Sequence, residues 1–97
     1  PELCVAIGSS VNSQHAKAEA ADFEVIGVDN AEVADWVYTN CRPDQLILEF
    51  YTPGEPNSGW IHASWVEFNP RVQYLRAYRE DKKVQYKPIL GKAVDLV

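Results

Sequence analysis

The stretch Ser13–Asp22, which reads SQHAKAEAAD, sets the arrangement that we expect for the rest of the chain. It carries His15 near its start and Asp22 at its end, and alanines make up much of the sequence between them. The chain has 2 histidines, and the second is His62, within the segment WIHASWV. A fold that brings these three side chains together would concentrate nitrogen and oxygen donors at one point.

The composition is typical of one small folded domain. The chain has 97 residues, of which 46% are hydrophobic and 24% charged, so disorder is not expected. The formal net charge of −5 argues against a nucleic-acid partner. No apolar run approaches the roughly 20 residues that span a bilayer, so we expect no membrane partner. We predict a single domain over residues 1–97, truncated at its N-terminus, because the chain opens at Pro1 without a methionine.

The sequence has 2 cysteines, Cys4 and Cys41, too few for a disulfide scaffold. A single bridge would form in an oxidising compartment. Two free, buried thiols are the interpretation that we favour.

One helix is predicted with both of its ends, roughly over residues 30–41. Asp29 can cap its first turn, and Glu32 follows at the spacing of a capping box. Pro43 stops it. Its apolar stripe recurs at helical spacing and consists of Ala34, Val37, Tyr38 and Cys41.

Short apolar or alternating segments predict strands. These are Ala20–Ile26, Gln45–Tyr51, Trp60–Glu67, Val72–Arg79 and Lys83–Lys87, the last two forming a hairpin. Alternation places Asp22 on the strand face opposite Phe23, and it places Trp60 and His62 on a common face. Thr52–Gly59 is rich in proline and glycine and is predicted to be a loop. The element order predicts an α+β domain with a mostly antiparallel sheet and the helix packed on one face.

The histidines and the aspartate suit a catalytic zinc site, which takes three protein ligands and keeps a fourth position open. Taken on spacing alone, the pattern also fits a simpler interpretation. His62 would then be a strand histidine between two tryptophans, and Asp22 a turn carboxylate.

The segment SQHAKAEAAD resembles the S-x-H-x-x-G-x-A-x-D motif of the D-Ala-D-Ala metallopeptidases. That family includes zinc D,D-carboxypeptidases, vancomycin-resistance dipeptidases and peptidase-type phage endolysins, and it shares a fold with the hedgehog signalling domain. Its third zinc ligand is a histidine in a downstream W-x-H element, which here is Trp60-Ile61-His62. The resemblance spans roughly residues 8–78 and is strongest to the small, phage-encoded members.

The resemblance implies a zinc ion held by His15, Asp22 and His62. It also implies a peptidoglycan peptide as the substrate, cut by water that the metal activates. Two activities are compatible with it, an endolysin-type endopeptidase and a D,D-carboxypeptidase.

The sequence departs from the family pattern at two positions. The glycine of the motif is Ala18 here, and the acidic residue that many members carry three positions before the last histidine is Gly59. The general base must then come from elsewhere, and Glu49 is our candidate because small phage-type members carry a glutamate in the same strand. Glu55 is the reserve candidate, since its loop could fold over the metal. The simpler interpretation makes Glu49 a solvated edge-strand residue.

Family members also stabilise the developing oxyanion with an arginine upstream of the motif, and no basic residue precedes His15 here. Replacements would have to come from elsewhere in the chain, and the arginines available are Arg42, Arg71, Arg76 and Arg79.

Three further residues are candidates for binding substrate. Ser13 and Gln14 flank the first ligand and could position the loop or a substrate carbonyl. Trp60 could line the cleft, with Trp65 on the other face of its strand in the core. Each has a structural alternative. Ser13 and Gln14 would be loop residues that fill a turn, and Trp60 would pack in the core or at its rim.

Two function classes follow from these observations. The first is a zinc metallopeptidase acting on peptidoglycan. The second is a module that keeps the fold, and with it the metal, but serves in binding or assembly. A small α+β domain without metal is the third interpretation.

Overall fold

The computed structural model describes Cys4, residues 18–66 and residues 69–96. The bounds of the elements are β1 Ala18–Phe23, α1 Asn30–Cys41, β2 Gln45–Glu49, β3 Trp60–Val66, β4 Gln73–Glu80, β5 Lys83–Pro88 and a 3-10 helix Ala93–Asp95. Within these ranges no helix is both long and apolar enough to cross a membrane. The α+β class expected from the sequence is confirmed.

The strands form one sheet in the order β1-β3-β2-β4-β5. β3 pairs antiparallel with both β1 and β2, and β5 pairs antiparallel with β4. β4 instead runs parallel to β2, so the sheet is mixed and not purely antiparallel. After β3 the chain reverses, so that β4 runs in the same direction as β2. β4 pairs with the edge of β2 that β3 does not occupy.

Helix α1 begins and ends where the sequence predicts. The side chain of Asp29 accepts a hydrogen bond of 2.8 Å from the backbone N–H of Ala31, which satisfies one of the free donors of the first turn. Arg42 then leaves the helix in a left-handed conformation, with φ 44°, and Pro43 follows. The buried face of the helix includes Ala34 and Val37, as the apolar stripe predicts.

The sheet has two faces of different character. Leu46, Leu48, Ile61 and Ala63 are fully buried in one core with the helix, and large-to-small substitutions in such a core cost about 2–5 kcal/mol. The alternate residues of the strands lie on the opposite face. We call this the open face, and it carries Asp22, Ile47, Glu49, Trp60 and His62.

The strand bounds differ from the prediction by one residue in β4 and β5, and by more in β1 and β2. β1 begins at Ala18, earlier than the predicted Ala20. β1 ends at Phe23 and does not continue to Ile26, because its pairing with β3 stops there and an exposed turn with φ 85° at Gly27 follows. β2 ends at Glu49 and does not reach Tyr51, because Phe50 adopts a left-handed φ of 55°.

Cys4 and Cys41 form a disulfide, so the favoured expectation of two free thiols is wrong. Their Cα atoms lie 5.4 Å apart, within the range that a bridge requires. A cysteine count gives no information on such proximity between residues that are 37 positions apart in the chain. The bridge ties Cys4 to the last turn of helix α1.

Candidate metal centre

Three ligand-type side chains meet on the open face. Asp22 of β1 lies directly opposite His62 of β3. On its other side His62 lies opposite Ile47 of β2, so Glu49, two residues further along β2, emerges on the same face. Ligand atoms of Asp22, Glu49 and His62 all lie within 4.8 Å of one another.

The closest contact in this cluster joins the imidazole and the aspartate. Nδ1 of His62 lies 2.7 Å from Oδ1 of Asp22, a hydrogen bond whose direction depends on the imidazole tautomer. The Asp22 side chain is 67% exposed and that of His62 is 30% exposed, so the pair opens to solvent. A site with this exposure is accessible both to an ion and to a substrate.

The structure brings together two of the three ligands expected from the sequence, Asp22 and His62. The third, His15, lies outside the described residues, as do Ser13 and Gln14. Glu49 lies with the two described ligands, on the same sheet face. Its reserve, Glu55, is exposed on the loop after β2 and does not belong to the cluster.

The donor set fits zinc. Imidazole nitrogen and carboxylate oxygen are both zinc ligands, at about 2.0–2.2 Å from the ion. Ligand atoms that share one ion are therefore no more than about 4 Å apart, and a group within 4.8 Å reaches that spacing through small side-chain rotations. Two carboxylates and a neutral imidazole also supply the negative charge that favours a divalent cation.

Position 59, just before β3, has no space for a side chain, so an acidic side chain could not approach the cluster from there. Gly59 has φ 64°, and a Cβ built on it would overlap the carbonyl oxygen of Glu49. The same Cβ would lie 2.8 Å from the carbonyl carbon of Phe50 and from the backbone nitrogen of Tyr51. The backbone at the end of β2 therefore occupies the space that a side chain at position 59 would need.

A cavity of about 460 Å³ is lined by Phe50, Tyr51, Thr52, Trp60, Tyr78 and Arg79. Trp60 connects it to the cluster, because Trp60 pairs with Glu49. Trp60 and Trp65 are on opposite faces of β3, as alternation predicts. Trp60 is 38% exposed at the cavity, whereas the indole N–H of Trp65 donates to the carbonyl of Cys41 at 3.2 Å. Sequence reasoning missed Phe50 as a residue of this cavity. The direction of its side chain depends on a left-handed backbone conformation, which alternation along a strand cannot reveal.

The structure separates the candidate arginines by their environment. Arg71 forms an ion pair of 2.7 Å with Asp44, and the guanidinium holds the pKa of that carboxyl below its usual range. Arg76 lies over the ring of Tyr78, at 5.2 Å from the centroid.

Arg42 lies just past the end of helix α1. Arg79 lies over the ring of Phe50, at 4.9 Å from the centroid, and lines the cavity beside the cluster. Of the four arginines, Arg79 is therefore the one that lines this cavity.

Comparison with known proteins gives one match. A family model described as peptidase M15 matches residues 2–63, which include the histidine-aspartate segment and the W-x-H element. No curated protein and no solved structure matches the chain. The M15 family is zinc-dependent, in agreement with the oxygen and nitrogen donors that converge on the open face. The chain therefore belongs to the peptidase M15 family, the D-Ala-D-Ala metallopeptidases.

Proposed function

We propose that this chain is a zinc peptidase that cleaves stem peptides of peptidoglycan, as an endolysin-type endopeptidase or a D,D-carboxypeptidase. The observation that carries the proposal is the convergence of Asp22, Glu49 and His62 on one exposed sheet face, in a member of a peptidase family. Phage origin and action on the cell wall belong to the same proposal, through the resemblance to small endolysin peptidases.

His15, Asp22 and His62 would hold the zinc ion. When bound, zinc acts as a Lewis acid toward a carbonyl and lowers the pKa of water to about 7, so that hydroxide is available as the nucleophile at neutral pH. The hydrogen bond between Asp22 and His62 supports this ligand set, because it already holds two donors side by side. Asp22 and His62 occupy directly paired positions of β1 and β3, so metal binding would have to order only their side-chain torsions.

Glu49 would act as the general base. It would accept a proton from the attacking water and then deliver it to the amine that leaves, which requires a carboxylate within hydrogen-bonding reach of the reacting atoms. Its place in the three-residue cluster supports this role. The same proximity would also allow Glu49 to serve as an oxygen ligand, and the experiment below separates the two roles.

We propose in addition that the fold is that of the hedgehog and D,D-peptidase group. Support comes from the order of the elements. The strand carrying Asp22 and the strand carrying His62 are neighbours in the sheet, although helix α1 and β2 lie between them in the chain.

Metal content is the first test. The purified chain should contain one zinc ion, and His15→Ala, Asp22→Ala and His62→Ala should each lose most of it. Stoichiometric zinc that survives all three substitutions would exclude the proposed ligand set. Turnover of a peptidoglycan fragment by the zinc-loaded chain, compared with Glu49→Gln, then tests the catalytic part.

A second candidate function is a binding or assembly module that keeps the metal but does not catalyse. The observation in its favour is Gly59, at the position where many family members carry an acidic residue. Zinc binding without turnover, in wild type and Glu49→Gln alike, would support the module.

A further inference from the structure

We propose that Phe50, Trp60 and Arg79 form a subsite that binds a carboxylate of the peptide substrate beside the metal centre. The proposal rests on the proposed function, since it names the substrate group that the same site recognises. The three residues lie on one continuous surface that leads away from His62 along the open face.

The first step of that surface follows β3. Trp60 is two residues before His62 on the same strand face, which is a separation of about 7 Å. An extended peptide covers that distance in about two residues. A substrate whose scissile bond lies at the cluster would therefore extend over Trp60 within a residue or two of the cut.

The second step crosses from β3 to Phe50, which follows β2, and then to β4. The rings of Phe50 and Trp60 are tilted against each other, with centroids 5.5 Å apart. The guanidinium of Arg79 lies 4.9 Å from the centroid of the Phe50 ring. The two rings thus form an apolar floor that ends at a cation.

Phe50 reaches this position through an unfavourable backbone conformation. Its φ of 55° is rare for a bulky aromatic residue, because the left-handed region brings Cβ close to the following carbonyl oxygen. A regular strand would point residue 50 to the side opposite Glu49, toward the helix. The left-handed turn instead sets the ring against Trp60 and Arg79, and such strain at a cavity is typical of residues that bind a ligand.

The charge at the end of the surface is available for a ligand. Among the residues that the structure describes, no carboxylate lies within ion-pair distance of Arg79, in contrast to Arg71 with its partner Asp44. The fork of an arginine matches a carboxylate with two parallel hydrogen bonds, and stacking on an aromatic ring holds its plane. A polyanion is disfavoured because the chain carries a net charge of −5, so a single carboxylate is the group that fits.

The test compares an N-acetylated tripeptide of D-alanine that has a free C-terminal carboxylate with the C-terminal amide of the same peptide. Binding is measured by calorimetry to the zinc-loaded Glu49→Gln chain, which should bind without turnover, and KM is measured with wild type. We expect the carboxylate to bind about tenfold or more tightly than the amide. Arg79→Gln should abolish that preference without changing zinc content, and Arg79→Lys should keep part of it.

Arg76→Gln is the matched control. It removes a guanidinium from the same strand that also lies over an aromatic ring, but on the other sheet face. Its preference for the carboxylate should equal that of the unsubstituted chain. Equal binding of acid and amide before any change at Arg79, or a preference that survives Arg79→Gln, would overturn the subsite. Because binding is measured without turnover, an inactive chain that still prefers the carboxylate would contradict the peptidase and leave the subsite standing.

Discussion

Gly59 lies so close to Glu49 that a Cβ at position 59 would overlap the Glu49 carbonyl oxygen. The end of β2 can approach the start of β3 only because position 59 has no side chain. The same approach leaves Glu49, and not residue 59, as the carboxylate beside Asp22 and His62.

Gly59→Ala should therefore destabilise the chain. An alanine in a left-handed conformation costs about 1–2 kcal/mol, and an overlap with rigid backbone adds about 1–3 kcal/mol. We expect the free energy of unfolding to fall by about 2–5 kcal/mol, as measured by urea denaturation. Activity at a temperature where the variant is folded should also fall, since the backbone of Glu49 must shift.

Gly54→Ala is the control for that substitution. Gly54 has φ 91°, but no atom lies within 4 Å of a Cβ built on it. It should lose only the conformational part, about 1–2 kcal/mol. If both variants lose the same free energy, the close approach of Gly59 to Glu49 has no energetic consequence.

Replacing Glu49 by glutamine should separate proton transfer from metal binding. A general base contributes about 10²–10⁴-fold to the rate, so kcat of Glu49→Gln should fall by that range. Zinc affinity, measured by competition with a chelator, should stay close to that of wild type. Glu55→Gln should change neither quantity, because Glu55 is exposed on the loop outside the cluster. A parallel loss of zinc and activity in Glu49→Gln would make Glu49 a ligand.

The sequence predicted the elements that depend on local patterns. Asp29 and Pro43 mark the two ends of helix α1, and alternation within β1 and β3 separates Asp22 from Phe23 and puts Trp60 on the side of His62. These features depend on a few neighbouring residues, so they can be read without knowing what each strand pairs with.

Features that depend on distant residues were not predicted. The parallel pairing of β4 with β2 is decided by which sheet edge remains free, and no local pattern encodes it. The bridge between Cys4 and Cys41 depends on the proximity in the fold of two residues that are 37 positions apart in the chain. The contact of Arg79 with Phe50 follows from one left-handed residue after a regular strand.

Loss of the disulfide should weaken both the fold and the metal site. Closing a loop between residues 37 positions apart removes chain entropy from the unfolded state, worth about 4 kcal/mol in the chain-entropy model. The closed loop contains His15 and Asp22 in its sequence. We expect Cys4→Ser with Cys41→Ser to unfold at a lower urea concentration and to bind zinc more weakly than the oxidised chain.

The single variants provide the control for the bridge. Cys4→Ser and Cys41→Ser each remove the same bond, so either one should lose nearly as much stability as the pair. A reductant should shift the wild-type unfolding midpoint and leave that of the double variant unchanged. A wild-type midpoint that does not respond to reductant would contradict the stabilising role of the bridge.

Alkaline pH should destabilise the chain through Tyr51. Its hydroxyl donates to Oδ1 of Asp29 at 2.8 Å, and burial, together with that hydrogen bond, raises the pKa of Tyr51 to about 12 from the ordinary 10.0. Because the neutral phenol is favoured in the folded state, its contribution is complete below pH 10 and is lost as the pH rises toward 12. Tyr51→Phe should lose about 1 kcal/mol at neutral pH and show a smaller alkaline decline than wild type in urea denaturation. Part of the decline should remain, because burial and a hydrogen bond to Asp35 also raise the pKa of Tyr74. Tyr86→Phe, which changes an exposed tyrosine on β5, should keep the decline. If Tyr51→Phe declines as wild type does, the hydrogen bond to Asp29 does not link the end of β2 to the start of helix α1 energetically.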